Sequence, residues 1–167
     1  MWTLLIVFTL LCLISIQTTL LPLFSISGIT PDLVLIFAVF CGIHLKGGRG
    51  VFAGMISGFL QDCFSGGLLG INTLSKSLMA YTFSRLKEKI MVDGIVPICF
   101  FLFASSIFDA SLFFCIQILL FKNEWGGSIL TAVLGFALYN SILGPVFFAM
   151  LIQGKRLLLG KSFPGAI

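Results

Sequence analysis

The sequence predicts an all-α, polytopic membrane protein with six transmembrane helices, and three observations support this. Its 167 residues are 59% hydrophobic and only 10% charged, and their mean hydropathy of +1.17 lies above the range of soluble globular domains. The apolar residues form long runs that are separated by short breaks. The basic residues gather at the ends of these runs, where they orient helices in a bilayer.

Six apolar runs are candidate spans, since a hydrocarbon core of roughly 30 Å takes about 20 helical residues to cross. They cover residues 2–21, 32–45, 51–64, 68–86, 95–121 and 128–152 of a single integral membrane domain, residues 1–167. The first has no basic n-region and no small-residue cleavage site, so it is interpreted as a retained span. The second and third are short for a full crossing. The breaks are marked by helix-interrupting residues, in order Pro22 and Pro31, Gly47 and Gly48, Gly66 and Gly67, Asp93 and Gly94, Gly126 and Gly127.

The basic residues predict that both termini lie in the cytoplasm, because Lys and Arg near span ends stay on that side. They form three clusters, each after an even-numbered span: Lys46 and Arg49; Arg85, Lys87 and Lys89; Lys155, Arg156 and Lys161. The three opposite connections contain Lys122 as their single base. The charge pattern and the parity of six spans therefore agree.

A stripe of small residues runs along the third span. Gly50, Gly54, Gly58 and Asp62 recur every four residues, so on a helix they share one slightly slanting face. Small residues at this spacing let a neighbouring helix approach closely in lipid. We expect helix packing at these glycines and a central position for span three, although glycine is also simply frequent in membrane helices.

The stretch GFLQDCFSGGLLGIN places Asp62 near the outer interface, just before a tight turn. Lys76 lies early in span four, and Asn72 lies between them. An acid in a membrane span usually turns toward protein or water. Two interpretations stay open: an Asp62–Lys76 ion pair that joins spans three and four, or a polar ligand site formed by Asp62, Asn72 and Lys76.

Asp109 interrupts span five near its middle, and Tyr139 and Asn140 lie near the middle of span six. If these helices are neighbours, we expect an interhelical hydrogen bond from Asp109 to Asn140 or Tyr139, contributing on the order of 1 kcal/mol. A proton relay is disfavoured because the sequence offers no second acid or histidine at the predicted midplane.

No catalytic, metal or cofactor site is predicted. GMISG, residues 54–58, has one residue too many for the serine motif of intramembrane proteases, and His44 does not complete a catalytic pair. GKRLLLGKS, residues 154–162, misses a phosphate loop by one residue. The five cysteines show no metal-binding spacing. The net charge of +4 reflects the span ends and does not indicate a nucleic-acid partner.

The order of landmarks over residues 31–90 resembles the MreD family, the small polytopic subunit of the bacterial rod-shape machinery. The similar pattern is Pro-Asp at the start of span two, then G-x-x-x-G-x-x-x-D-x-x-S-G, then L-G-I and a long apolar span. Its positions in this chain are Pro31, Asp32, Gly54, Gly58, Asp62, Gly66, Gly70 and Asn72.

This resemblance implies a non-enzymatic scaffold in the bacterial inner membrane. The family associates with the transmembrane helix of MreC and, together with it, links cytoplasmic MreB filaments to RodA and its partner transpeptidase during lateral peptidoglycan synthesis. The six-span fold is also similar to the substrate-binding S components of energy-coupling-factor vitamin transporters, which gives the alternative function. An S component needs an outward polar cavity, whereas a scaffold needs an exposed apolar or small-residue seam. A lipid-like or peptidoglycan-precursor ligand also stays open.

Overall fold

The computed structural model describes residues 2–25, 28–45, 48–66, 68–87, 94–121 and 128–159, and the side chains of all of these except 2–6, 121 and 155–159. This part of the chain is all-α, as predicted. The helices are α1 (Trp2–Thr19), α2 (Leu33–His44), α3 (Arg49–Ser65), α4 (Ile71–Leu86), α5 (Ile95–Phe121) and α6 (Ile129–Leu159), with a 3₁₀ helix (Leu21–Phe24) after α1. Each predicted span therefore corresponds to one helix.

Several predicted breaks and orienting charges lie outside the described residues. They are Lys46, Gly47, Gly67, Lys89, Asp93, Lys122, Gly126, Gly127 and Lys161, together with the side chains of Lys155 and Arg156.

Two helices of the described chain are long and apolar enough to cross a membrane on their own. They are the segments Ile95–Leu120 of α5 and Ile129–Gly154 of α6, while Val7–Thr19 and Leu33–His44 are shorter apolar helices. At 1.5 Å per residue, the 12 residues of α2 extend over roughly 18 Å. α2 is therefore shorter than the hydrocarbon core is thick, as its apolar run indicated.

The central helix is α2, which contacts each of the five other α-helices. Residues 33–42 are all buried. The segment LVLIFAVFCG is apolar on every side, and a helix of this kind is stable only when neighbours surround it or lipid does. The prediction that span three is central was wrong. Only the face of α3 that carries the glycine stripe is buried, and its opposite face is exposed.

The outer faces of the helices are apolar. α3 buries most of its small residues and Asp62 but exposes Phe52, Met55, Phe59 and Phe64. α5 and α6 also expose many large apolar side chains. The buried set contains Asp32, Asp62, Lys76, Asp109 and Asn140. Charge inside and large apolar side chains outside is the arrangement expected when lipid surrounds the helices.

Three glycines of α3 lie where its backbone meets neighbouring helices. A Cβ atom on Gly50 would lie 2.7 Å from the carbonyl oxygen of Cys41 in α2, and one on Gly54 would lie 2.7 Å from the carbonyl oxygen of Lys76 in α4. A Cβ on Gly58 would overlap the Asn72 carbonyl. Because backbone cannot move aside as a side chain can, α2, α3 and α4 pack this closely only with glycine at these positions.

Gly58→Leu is therefore expected to destabilise the protein by about 3 kcal/mol or more, since the new side chain overlaps the α4 backbone. Thermal unfolding of the purified protein in detergent measures this. Gly154→Leu is the matched control, because a Cβ there meets nothing within 4 Å. Equal unfolding temperatures for the two variants would contradict the close α3–α4 contact.

Candidate functional site

Asp62 accepts hydrogen bonds from the first turn of α4. Its carboxylate receives the backbone N–H groups of Gly70 at 2.9 Å, Asn72 at 3.0 Å and Thr73 at 2.9 Å, and the Thr73 hydroxyl at 2.6 Å. The N-cap residue of α4 is Gly70, which has no side chain that could cap the helix. Because the first N–H groups of a helix lack partners within it, Asp62 of α3 takes the place of a local N-cap.

Two glycines allow the chain to reverse between α3 and α4. Gly66, which follows α3, has φ 64°, and Gly70, which precedes α4, has φ 104°. Both values lie in the left-handed region that residues with a Cβ rarely adopt. The turn returns the chain to the end of α3, so that the start of α4 lies directly over the Asp62 carboxylate.

The expected Asp62–Lys76 pair does not form, because Lys76 has other acidic partners. Its ammonium lies 2.9 Å from Asp32 Oδ2 and 3.0 Å from Asp109 Oδ1, and it donates to Asn72 Oδ1 at 2.8 Å. Lys76 is fully buried, and Asp32 and Asp109 are each more than nine-tenths buried. We name Lys76, Asp32, Asp109 and Asn72 the Lys76 cluster.

Asp32 joins the Lys76 cluster to the start of α2. Its Oδ1 accepts the N–H groups of Val34 and Leu35, both at 3.0 Å, which caps α2 in the usual way. Its Oδ2 receives Lys76 and, at 3.1 Å, the Gln61 amide of α3. The Gln17 amide of α1 donates to Oδ1 at 3.3 Å. One carboxylate thus bonds to four helices.

Asp109, Tyr139 and Asn140 all make contacts between elements, but they do not bond to one another. Asp109 of α5 accepts from Lys76 and from the Ser75 hydroxyl of α4. Asn140 of α6 accepts the Asp32 N–H at 2.8 Å and donates to Ser106 of α5 at 3.0 Å. Tyr139 donates to the Phe24 carbonyl at 2.7 Å. The expected Asp109 bond to Asn140 or Tyr139 is absent because α4 supplies a cation and a hydroxyl to Asp109.

The chemistry of the Lys76 cluster favours a structural role. A lysine ammonium has three donor protons, and Lys76 directs them to two carboxylates and one amide oxygen. No proton remains for a substrate, and a fully buried, ion-paired ammonium is a poor nucleophile. Within the residues that the structure describes, no group of three His, Cys, Asp or Glu side chains could hold a metal ion.

The sequence indicated six polar candidates but not the role of Asp32; the six are Asp62, Asn72, Lys76, Asp109, Tyr139 and Asn140. Asp32 appeared only as a landmark, although it directly precedes an unbroken apolar run, which is the position of an N-cap. Ser75 and Ser106 were also missed, since single polar residues in apolar helices carry no pairing signal of their own. The available clue was Lys76, because a lysine inside a membrane span needs a carboxylate partner.

Comparison with known proteins places most of the chain in one family. The family model described as rod shape-determining protein MreD matches residues 1–154. No curated protein and no solved structure matches the chain significantly. The expected similarity to S components of vitamin transporters therefore stays a prediction.

Replacing Lys76 alone is expected to destabilise the protein strongly. Lys76→Met leaves the carboxylates of Asp32 and Asp109 buried without their cation, and the loss of one member of a buried ion pair costs about 3–5 kcal/mol. Adding Asp32→Asn and Asp109→Asn to Lys76→Met should restore most of the stability, because asparagine keeps the cap of α2 and the Lys76 cluster then contains no charge. Thermal unfolding in detergent compares the single and triple variants. A single variant as stable as the parent, or a triple variant less stable than the single one, would refute this account.

Proposed function

The chain belongs to the MreD family of rod shape-determining proteins, and we propose that it is a non-enzymatic scaffold of the bacterial inner membrane. In this role it binds the transmembrane helix of MreC. Through MreC it helps couple cytoplasmic MreB filaments to RodA and its partner transpeptidase during lateral peptidoglycan synthesis. The family match over residues 1–154 carries the proposal, and the buried Lys76 ammonium, which bonds to Asp32, Asp109 and Asn72, supports a structural role.

The proposed placement has six membrane-crossing helices in one integral domain, residues 1–167, with both termini in the cytoplasm. The described bases support it, since Arg49 begins α3 and Arg85 lies in the last turn of α4. Lys87 donates to the Leu45 carbonyl that follows α2. These bases therefore lie at one end of the α2–α4 group, while Asp32 and Asp62 lie toward the other. Bases are retained on the cytoplasmic side.

Reporter fusions test this placement. A fluorescent protein at either terminus should fluoresce, because it folds in the cytoplasm, and alkaline phosphatase should be inactive there. Phosphatase joined after Leu68, in the predicted outer turn, should be active, and phosphatase joined after Leu86 should be inactive. An active phosphatase at the C-terminus would contradict the placement.

The exposed face of α6 is the surface that we propose for the MreC helix. Its large apolar residues recur every four positions and all are exposed: Leu130, Leu134, Leu138, Ile142, Val146 and Met150. Residues with this spacing form one ridge on a helix, the kind that packs into the groove of a second helix. The ridge extends over about 30 Å, roughly the thickness of the hydrocarbon core. It therefore offers contact to a partner helix along a full crossing.

The triple variant Leu134→Ala, Leu138→Ala, Ile142→Ala should reduce the recovery of MreC with the tagged protein at least about fivefold, since each truncation removes buried contact. Pull-down from native membranes with partner identification measures it, and loss of rod shape is the cellular readout. The matched control is Phe59→Ala with Phe64→Ala, which truncates exposed side chains of α3. Equal loss in both variants would refute the α6 surface, and absence of MreC from the parent pull-down would refute the scaffold role.

The alternative role as a vitamin-binding S component has less support. Beside Asp32, the crevice lined by Gln17, Gln61 and their neighbours in α1–α3 has a volume of about 60 Å³. Sites for small ligands usually measure about 300–1,000 Å³. The side-chain amides of Gln17 and Gln61 both donate to the Asp32 carboxylate.

A further inference from the structure

A larger cavity lies between α3 and α4, at the end that carries the basic residues. Its volume is about 490 Å³, which falls within the range of small-ligand sites. It is lined by Gly48, Val51, Phe52, Met55, Tyr81, Ser84 and Arg85. We name it the α3–α4 groove. It is separate from the Lys76 cluster, which contributes none of these residues.

The α3–α4 groove is polar at one end and apolar along its length. Arg85 and Ser84 lie at the basic end, and the Arg85 guanidinium lies 5.5 Å from the centre of the Tyr81 ring. Phe52 and Met55 form an apolar wall and are 57% and 41% exposed. None of the residues that line this groove is acidic.

The apolar wall continues beyond the groove along both helices. On α3, Phe52, Met55 and Phe59 follow the spacing i, i+3, i+7 and are exposed. On α4, Leu74, Leu78 and Tyr81 precede Arg85 at the same kind of spacing and are also exposed. Residues with this spacing share one helix face. The surface is therefore an apolar strip that ends at a guanidinium and a hydroxyl.

We propose that the α3–α4 groove binds an anionic phospholipid of the cytoplasmic leaflet. Its phosphate lies against Arg85 and Ser84, and an acyl chain lies over Phe52 and Met55. A guanidinium forms strong, charge-assisted hydrogen bonds with phosphate. The inference rests on the proposed membrane placement, because that placement puts Arg85 at the cytoplasmic headgroup level.

Charge and shape favour this occupant over others. A partner transmembrane helix is apolar where it meets the membrane and offers no anion to Arg85. Inorganic phosphate can bond to the guanidinium but leaves the apolar wall without contact. A zwitterionic lipid carries a cation beside its phosphate, which weakens the net attraction that a basic site gives to anionic lipid.

The test uses the full-length protein in detergent, titrated separately with phosphatidylglycerol, phosphatidylcholine and inorganic phosphate. Native mass spectrometry counts bound lipid, and the unfolding temperature reports stabilisation. Arg85→Gln should weaken phosphatidylglycerol binding at least about fivefold, since it removes the charged donor. Met55→Trp should weaken it by filling the apolar part of the groove. Arg49→Gln is the matched control: it removes an exposed base at the same end of the protein that does not line the groove, and it should change binding less than about twofold.

Several results would overturn the lipid site. Equal weakening by Arg85→Gln and Arg49→Gln indicates diffuse attraction to the basic end. Equal binding of phosphatidylcholine shows no selection for an anion, and equal stabilisation by inorganic phosphate shows a simple anion site. Recovery of MreC is measured with the same variants: Arg85→Gln should retain MreC while losing lipid, whereas loss of MreC from Met55→Trp would assign the groove to a helix. If the parent protein binds the lipid but never MreC, the scaffold role fails and the lipid site stands.

Discussion

The position of the helices depends on the buried ammonium of Lys76. A charge without partners in such an environment costs several kcal/mol, so each of its protons must find an oxygen. The oxygens come from Asp32 before α2, Asp109 of α5 and Asn72 one turn earlier in α4. Asp32 also caps α2, and its N–H bonds to Asn140 of α6. A shift of any of these helices would leave a charged or polar group unpaired. The polar contacts therefore make this arrangement of the helices more stable than others with similar apolar contact.

The glycine stripe of α3 and the Lys76 cluster act together. Gly54 lies against the backbone carbonyl of Lys76, and Gln61, on the same helix, bonds to the carboxylate that Lys76 contacts. Without the close α3–α4 approach at Gly54 and Gly58, the α4 backbone would move outward and carry the Lys76 side chain away from Asp32. Buried ion pairs stabilise a fold only when their geometry is good. In this protein the glycines of α3, which have no side chains, allow that geometry.

The sequence predicted the helices well and their partners poorly, for physical reasons. Hydropathy and breaks located six helices because each run is predominantly apolar and ends at residues that interrupt helices, as in IVPICFFLFASSIFDASLFF. The Asp62–Lys76 pair was inferred from nearness along the chain. That inference left out the N–H groups of Gly70, Asn72 and Thr73, which lie closer to Asp62 and also need an acceptor. The Asp32–Lys76 contact joins residues 44 positions apart, and no local pattern encodes it.

The central position of α2 could have been predicted, because its sequence is apolar on every side. Its short length and the glycines of α3 led instead to the prediction that α3 is central.

The polar interior also determines how α6 presents its outer surface. Val133, Ala137, Asn140, Gly144 and Phe148 form its buried face, and Asn140 bonds there to α2 and α5. A residue two positions away on a helix points about 200° around the axis, so Leu138 and Ile142 are directed outward when Asn140 is bonded. These two bonds therefore oppose rotation of α6 about its axis. A partner helix that meets a ridge already fixed in orientation loses less free energy to ordering on binding. In the proposed scaffold, the buried polar groups thus contribute to assembly without contacting the partner.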